Sequence, residues 1–313
     1  MAPHAFLQID RHYQGVHAFH TGHMRRDFMR FFSVILLALF ASFSLASPAD
    51  AKVIRDIIYN DAPGLDPGDV RADVYLPENP DNAPMILMMH GGAWTFGNKQ
   101  SALGMFQARY FTDEGFIFVA VNYRLAPANP FPAQQEDVAA AIAYFHEAAE
   151  EFGGDPDKMF LMGHSAGAHM AALTAIDPDY LDKYDLSPSV IKGVVAMDSA
   201  AYNLVRTGSD GDIPEFYHST FTSDDQDVWA AASPTLQVEE TTDIPPFLLL
   251  YVNRAVSPSR AKELAEALNS AGHTAEARLV KKRDHKSLND RLGEKGDKVA
   301  PMIVEFFRDQ MDD

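Results

Sequence analysis

The sequence predicts an α/β fold in which a mostly parallel sheet carries helices on both faces. Nearly continuous apolar runs recur along the chain, and such runs are typical of strands that a parallel sheet buries on both faces. They occupy residues 85–89, 117–121, 159–162 and 247–252. Segments with apolar residues at helical spacing lie between them, so strand and helix alternate. Right-handed crossovers then give a parallel sheet, and we expect functional residues at the carboxyl ends of its strands.

Three further strands are predicted by their patterns. In residues 70–76 apolar side chains alternate with polar ones such as Asp73, which indicates a half-exposed strand, and Pro77 ends it. Residues 191–197 form another apolar run, and residues 275–280 alternate again.

Two helices are predicted with their ends. The first covers residues 138–152, whose apolar side chains form one stripe, and Gly153 follows it as a C-cap signal. The second begins at Ser257, which can cap a helix, and ends near Gly272.

Composition indicates one globular domain over residues 52–313. The chain has 313 residues, of which 47% are apolar and 22% charged, and it contains neither a linker nor an internal repeat. Its net charge of −18 repels phosphate backbones, which argues against nucleic acid as a partner. Because cysteine is absent, we expect no disulfides and no thiol nucleophile.

The first 51 residues have the pattern of a secretory signal. A basic stretch at residues 24–30 leads into the apolar run 31–46, and small residues follow up to Ala51. We therefore expect cleavage after Ala51, export to the periplasm or medium, and no membrane span after processing. An uncleaved anchor is the alternative. Residues 1–23 precede the basic stretch, although a secretory signal normally starts with its basic region. We therefore expect that translation can begin at Met24 or Met29.

Gly163-His164-Ser165-Ala166-Gly167 is the strongest chemical signal. A strand precedes this G-x-S-x-G segment and a helix-compatible stretch follows it. A sharp turn between strand and helix exposes the serine hydroxyl, and the glycines avoid collisions with the neighbouring strand and helix. Ser165 is therefore the candidate nucleophile.

A second loop follows the strand at residues 85–89, with the sequence His90-Gly91-Gly92-Ala93-Trp94. Its adjacent glycines let backbone N–H groups turn toward the nucleophile, where they can bind an oxyanion together with the N–H of Ala166. We expect His90 to hold this loop in place. Trp94 and Phe96 suggest an apolar wall for the substrate.

Four histidines lie after Ser165 in the part of the chain where the base is expected. They are His169, His218, His273 and His285. His169 leaves the site with the helix after Ser165, His218 lies in a polar stretch without strands, and His273 follows a helix end on the opposite edge of the sheet. His285 follows the last predicted strand at its carboxyl end, so it is the candidate base.

These motifs together resemble the α/β-hydrolase superfamily, near its hormone-sensitive-lipase-like and kynurenine-formamidase-like serine esterases. The resemblance covers about residues 70–307 and rests on five segments. They are residues 73–77, 90–94, 123–127, 131–134 with Asp137, and 163–167. It implies the α/β-hydrolase fold, oxyanion donors at Gly92, Ala93 and Ala166, and activity without a metal or cofactor.

The triad acid departs from the family pattern. The family usually places it after the seventh strand, where this chain has Asn253-Arg254-Ala255-Val256-Ser257 and no carboxylate. Asp198, at the end of the strand 191–197, is the nearest substitute, but it can equally cap a loop. Asn253 can orient an imidazole without neutralising it. Asp284 is excluded, because its side chain should point away from the adjacent His285.

The leading interpretation is a serine hydrolase that cleaves small carboxylic esters, with Ser165 as nucleophile and His285 as base. Hydrolysis of amides or formamides is the alternative within enzymes. A binding protein that kept the serine turn but lost its acid is the alternative outside them. The expected partner is a small ester substrate, and the sequence does not give the oligomeric state.

Overall fold

The computed structural model describes residues 52–209, 214–221, 225–240 and 242–311. The predicted signal segment, residues 1–51, lies outside the described residues. The strands are β1 Lys52–Ile58, β2 Arg71–Leu76, β3 Ala83–Met89, β4 Ile117–Val121, β5 Gly154–His164, β6 Ile191–Met197, β7 Phe247–Tyr251 and β8 Ala275–Leu279. The helices are α1 Gln107–Asp113, α2 Ala133–Glu147, α3 Ala166–Ile176, α4 Asp179–Asp182, α5 Leu204–Ser209, α6 Glu215–Thr220, α7 Gln226–Ala231, α8 Ser257–Ser270, α9 His285–Asp290 and α10 Val299–Asp309.

The strands form one eight-stranded sheet in the order β1-β2-β4-β3-β5-β6-β7-β8. β2 runs antiparallel to β1 and β4, and the six strands β4-β3-β5-β6-β7-β8 are parallel to one another. This arrangement confirms the predicted α/β fold with a mostly parallel sheet. It also brings the carboxyl ends of β5, β6, β7 and β8 to one edge of the sheet, side by side.

The core lies on both faces of the sheet, because successive side chains of a buried strand point to opposite sides. Met85, Leu87 and Met89 of β3 pack in one apolar cluster with residues of α2, α3 and α8. Ile86 and Met88 pack in a second cluster with residues of α1 and α10. Helices therefore cover both faces, as predicted.

The predicted half-exposed strand is wrong at Asp73. This carboxylate lies fully buried in β2, where it binds Arg55 at 2.9 Å and also pairs with Lys99. Alternation places polar residues on one face but does not show what covers that face. Here long cationic side chains cover Asp73 and satisfy its charge.

The helix predicted over residues 138–152 also ends earlier than expected. α2 stops at Glu147, a 3-10 turn covers Ala149–Phe152, and Gly153 with φ +77° closes the turn. The C-cap signal was placed correctly, but a tighter turn intervenes. Within the described residues, none of the helices combines the length and the apolar character needed to cross a bilayer.

Candidate active site

Ser165 lies at the sharp turn between β5 and α3. Its φ of +57° is a conformation that residues other than glycine rarely adopt. Its N–H donates to the carbonyl of Met197 at 2.8 Å, which fixes the turn to the end of β6. The flanking glycines permit the close packing: a Cβ on Gly167 would lie 2.0 Å from the carbonyl oxygen of Met89, and one on Gly163 would lie 2.2 Å from the carbonyl oxygen of Gly167.

His285 is the histidine that the structure places beside the nucleophile. Its Nε2 accepts from the Ser165 hydroxyl at 3.0 Å, a distance at which a base can take the proton. The side chain is 37% exposed, so the imidazole borders the cavity. His285 begins α9, and Asp284 caps that helix by accepting from the N–H of Ser287 at 2.7 Å. Asp284 therefore serves the helix end, a role that the sequence analysis did not assign to it.

Asp198 completes the arrangement on the far side of the imidazole. Nδ1 of His285 donates to Oδ2 of Asp198 at 2.6 Å. Asp198 directly follows β6 with a φ of +56° and is fully buried. The structure thus brings Ser165, His285 and Asp198 into one chain of hydrogen bonds. Asn253 is exposed, and among the described residues no hydrogen bond joins it to His285.

Asp198 is held by residues that the sequence did not connect with the site; Ser257, predicted as a helix cap, instead donates its hydroxyl to Asp198. Oδ2 accepts from Nε of Arg254 at 2.7 Å, while Oδ1 accepts from the N–H of Val252 at 3.1 Å and from the Ser257 hydroxyl. Burial alone would raise the pKa of Asp198, but the hydrogen bonds from His285 and Ser257 and the charge of Arg254 hold this pKa well below its usual range. The carboxylate therefore stays ionised.

His164 also supports the base. It is buried, its Nε2 donates to the backbone carbonyl of His285 at 2.8 Å, and the two rings lie 4.5 Å apart. Burial lowers the pKa of His164 to about 4, so its ring is neutral near pH 7. Its position inside the G-x-S-x-G segment gave no signal for this contact, because the contact joins residues far apart in the chain.

The predicted oxyanion residues Gly92, Ala93 and Ala166 all line the cavity that contains Ser165. Gly92 needs to be glycine, because its φ is +131° and a Cβ would lie 1.8 Å from the carbonyl oxygen of Phe96. The left-handed conformation continues at Ala93, with φ +50°. These turns shape the loop beside Ser165, and the oxyanion role of its N–H groups stays a prediction.

His90 stabilises this loop from below. Its Nδ1 donates to the carbonyl of Gly91 at 2.6 Å, and the Tyr123 hydroxyl donates to the backbone carbonyl of His90 at 2.9 Å. Burial lowers the pKa of His90 to about 4. The ring is therefore neutral near pH 7, and its hydrogen bonds to other described residues go to Gly91 and Tyr123, in agreement with the structural role that we expected.

The cavity beside Ser165 has a volume of about 600 Å³. Trp94 lines it but is only 3% exposed, because its ring packs edge-on against His169 at 5.2 Å and Phe221 at 5.0 Å. Phe96 is the exposed aromatic side chain of the lining, at 64%. Within the described residues there is no group of three acidic or histidine side chains that could hold a metal ion.

The stretch around His218, which we interpreted as polar, also contributes to this cavity. It contains the short helices α5, α6 and α7 among its described residues, and Phe216 and Tyr217 of α6 line the cavity. Sequence reasoning missed this wall because six-residue helices carry too few turns to show a periodic pattern.

Comparison with known proteins gives a family match and relatives that are named as esterases. The family model described as BD-FAE matches residues 72–268. The probable isoprenylcysteine alpha-carbonyl methylesterase ICMEL1 of Arabidopsis thaliana is 31% identical over 252 residues, which cover 75% of this chain and 51% of that protein. Esterase LipQ of Mycobacterium tuberculosis is 30% identical over 200 residues, which cover 61% of this chain and 47% of LipQ. The chain thus spans about half the length of these relatives.

Among solved structures, a truncated carbohydrate esterase from gut microbiota superimposes with a TM-score of 0.71. The two are 19% identical, and the match covers 86% of this chain and 99% of the other. At this identity the likeness shows a common fold.

Proposed function

This chain belongs to the BD-FAE family, and from that premise we propose that it is a serine hydrolase that cleaves small carboxylic esters through an acyl-enzyme. The observation that carries the proposal is the continuous hydrogen-bond chain from Ser165 through His285 to Asp198, with distances of 3.0 and 2.6 Å. We also propose that it is related to the hormone-sensitive-lipase-like or kynurenine-formamidase-like enzymes. The sequence motifs described above support this relationship.

The geometry supports a two-step reaction. The Ser165 hydroxyl attacks the ester carbonyl while Nε2 of His285 takes its proton, and Asp198 stabilises the imidazolium that forms. The N–H groups of Gly92, Ala93 and Ala166 receive the oxyanion. The imidazolium then protonates the departing alcohol, which leaves an acyl group on Ser165. A water molecule repeats the sequence and releases the acid.

The test is a pair of measurements on purified protein. Wild-type protein should hydrolyse p-nitrophenyl acetate and react with a fluorophosphonate probe, and Ser165→Ala should do neither while its circular dichroism and melting temperature match those of wild type. Ala fits the turn without the nucleophile. Substantial turnover by Ser165→Ala would refute the mechanism, and an inert wild-type serine would favour a binding protein.

We propose short acyl chains, about C2 to C6, as the preferred substrates. The aromatic side chains of Phe216 and Tyr217 close one side of a cavity of about 600 Å³, which suits a small ligand. A series of p-nitrophenyl esters should give kcat/KM values that fall beyond C6, and a rise out to C12 would contradict this. N-formyl substrates in the same assay distinguish a formamidase.

We also propose that the protein is exported and processed after Ala51. The basic, apolar and small-residue segments of residues 24–51 support this. Amino-terminal sequencing of exported protein should begin near Lys52, and recovery of an intact Met24-Arg25-Arg26 start would contradict cleavage.

A further inference from the structure

Arg254 is a cation in the wall of the active-site cavity. It follows β7 and lines the cavity together with Ser165 and His285. Its side chain is 34% exposed, so the guanidinium is partly buried against the protein and partly open to a ligand. Hydrolysis of a neutral ester needs no positive charge at this place.

Two hydrogen bonds fix the guanidinium on one side. Nε donates to Oδ2 of Asp198 at 2.7 Å, and Nη2 donates to the backbone carbonyl of Asp198 at 2.9 Å. Among the described residues, none accepts a hydrogen bond from Nη1, which carries two N–H donors. Because the side chain is already ordered, a ligand that binds Nη1 avoids most of the entropy cost of immobilising an arginine.

The remaining charges of the lining leave room for an anion. Asp290 is the carboxylate among the described lining residues, and it pairs with Lys286. Asp198 is fully buried, and its oxygens accept hydrogen bonds from four groups. The net charge of −18 opposes anions at long range, but salt screens such repulsion beyond about 8 Å.

We propose that Arg254 determines specificity, by binding through Nη1 a carboxylate that the ester substrate carries on its acyl or its alcohol part. This inference rests on the proposed ester hydrolysis. Arg254 and His285 bind the same oxygen of Asp198, so only that oxygen separates the guanidinium from the catalytic imidazole. The carboxylate of the substrate therefore lies a few atoms from the scissile carbonyl.

The experiment compares acidic esters with neutral esters of the same size. One pair carries the charge on the acyl part: p-nitrophenyl hydrogen glutarate against p-nitrophenyl pentanoate. The other carries it on the alcohol part: 4-acetoxybenzoate against 4-acetoxytoluene. The measured quantity is the ratio of kcat/KM between acidic and neutral members.

In at least one pair, Arg254→Met should lower this ratio by about 10- to 100-fold, since it loses a charge-assisted hydrogen bond. Arg254→Lys should keep part of the preference, because it keeps the charge without the planar fork.

The matched control is Arg55→Met. Arg55 is a half-exposed arginine that binds a fully buried aspartate, Asp73, at 2.9 Å. It lies in β1, the first strand of the sheet order, whereas Arg254 follows β7, the seventh strand of that order. This variant loses the same charge, and its ratio should equal that of wild type. A ratio of two substrates on one variant also cancels any loss of turnover that a loosened Asp198 causes for both.

An unchanged ratio for Arg254→Met in both pairs, with neutral esters still hydrolysed, would overturn the inference and leave the proposed function standing. If wild-type protein neither hydrolyses the neutral esters nor reacts with a fluorophosphonate, both the inference about Arg254 and the proposed function are refuted.

Discussion

At the scale of single residues, the surroundings of Asp198, the proposed triad acid, show how a buried carboxylate can remain ionised. Both of its oxygens accept two hydrogen bonds, from His285 and Arg254 on one and from Val252 and Ser257 on the other. A buried charge without such partners would be costly. With them, the carboxylate stays ionised, which is the form that orients the imidazole and stabilises its protonated state.

Asp198→Asn should lower kcat for p-nitrophenyl acetate by about 10² or more. An amide can hydrogen-bond to His285 but cannot neutralise the imidazolium, and the same change in the serine-protease template costs roughly 10⁴. Steady-state kinetics on the purified variant checks this.

Asn253→Ala is the control for that experiment. Asn253 occupies the segment where the family usually carries its acid, yet it is exposed in this chain. Its kcat should stay within a few-fold of wild type. A large loss in Asn253→Ala together with a mild effect in Asp198→Asn would reverse the assignment.

At the scale of elements, the site depends on how closely α3 packs against β3. Gly167 in the first turn of α3 places its Cα against the end of β3, where an added Cβ would lie 2.0 Å from the Met89 carbonyl oxygen. That contact involves backbone atoms of a central strand, which cannot move without disturbing the sheet. The small residue therefore sets the position of the helix that carries the nucleophile.

Gly167→Ala should reduce the free energy of unfolding by roughly 2–3 kcal/mol, the upper part of the range of about 1–3 kcal/mol for overpacking of a tight interior. Gly193→Ala is the matched control. This glycine is also buried, but an added Cβ would meet ring atoms of Phe306 at 3.2 Å, and a side chain can shift. We expect a loss of about 1 kcal/mol or less there. Urea denaturation measures both, and equal losses would contradict the packing argument.

At the scale of the whole molecule, three buried histidines couple stability to pH. Burial lowers the pKa values of His90, His164 and His169 to about 4, from an ordinary value of 6.5. The unfolded chain therefore binds protons that the folded protein does not. The stability that these groups contribute is fully present above pH 6.5 and is lost as the pH falls toward 4.

Between pH 7 and pH 5, each of these histidines should reduce the free energy of unfolding by about 2 kcal/mol, and the three together by about 6 kcal/mol. His169→Gln should remove about a third of this pH dependence, because glutamine does not titrate in this range. Its amide can still donate to the Ala232 carbonyl that His169 binds at 2.7 Å, so the hydrogen bond is kept. Urea denaturation of both proteins at the two pH values is the measurement. Identical pH dependence would show that His169 does not contribute.

The sequence by itself determined the alternation of strands and helices, and it singled out Ser165 and His285 as the proposed nucleophile and base. Periodicity and the strand-to-helix turn around Ser165 are local properties, readable within about ten residues, and His285 follows from the order of strands along the chain. For Asp198, the sequence left two roles equally open, the triad acid and a residue that only caps a loop. At the level of the sequence, nothing connected Arg254, Ser257 or His164 with the site.

Only the tertiary structure decided which groups surround the acid. His285 and Asp198 lie 87 residues apart in the chain and 2.6 Å apart in space, because β6, β7 and β8 are neighbours in the sheet. The same pairing of strands brings Arg254 to Asp198 across 56 residues. Hydrogen bonds of this kind depend on distances between separate segments, and a local pattern of residues does not encode those distances.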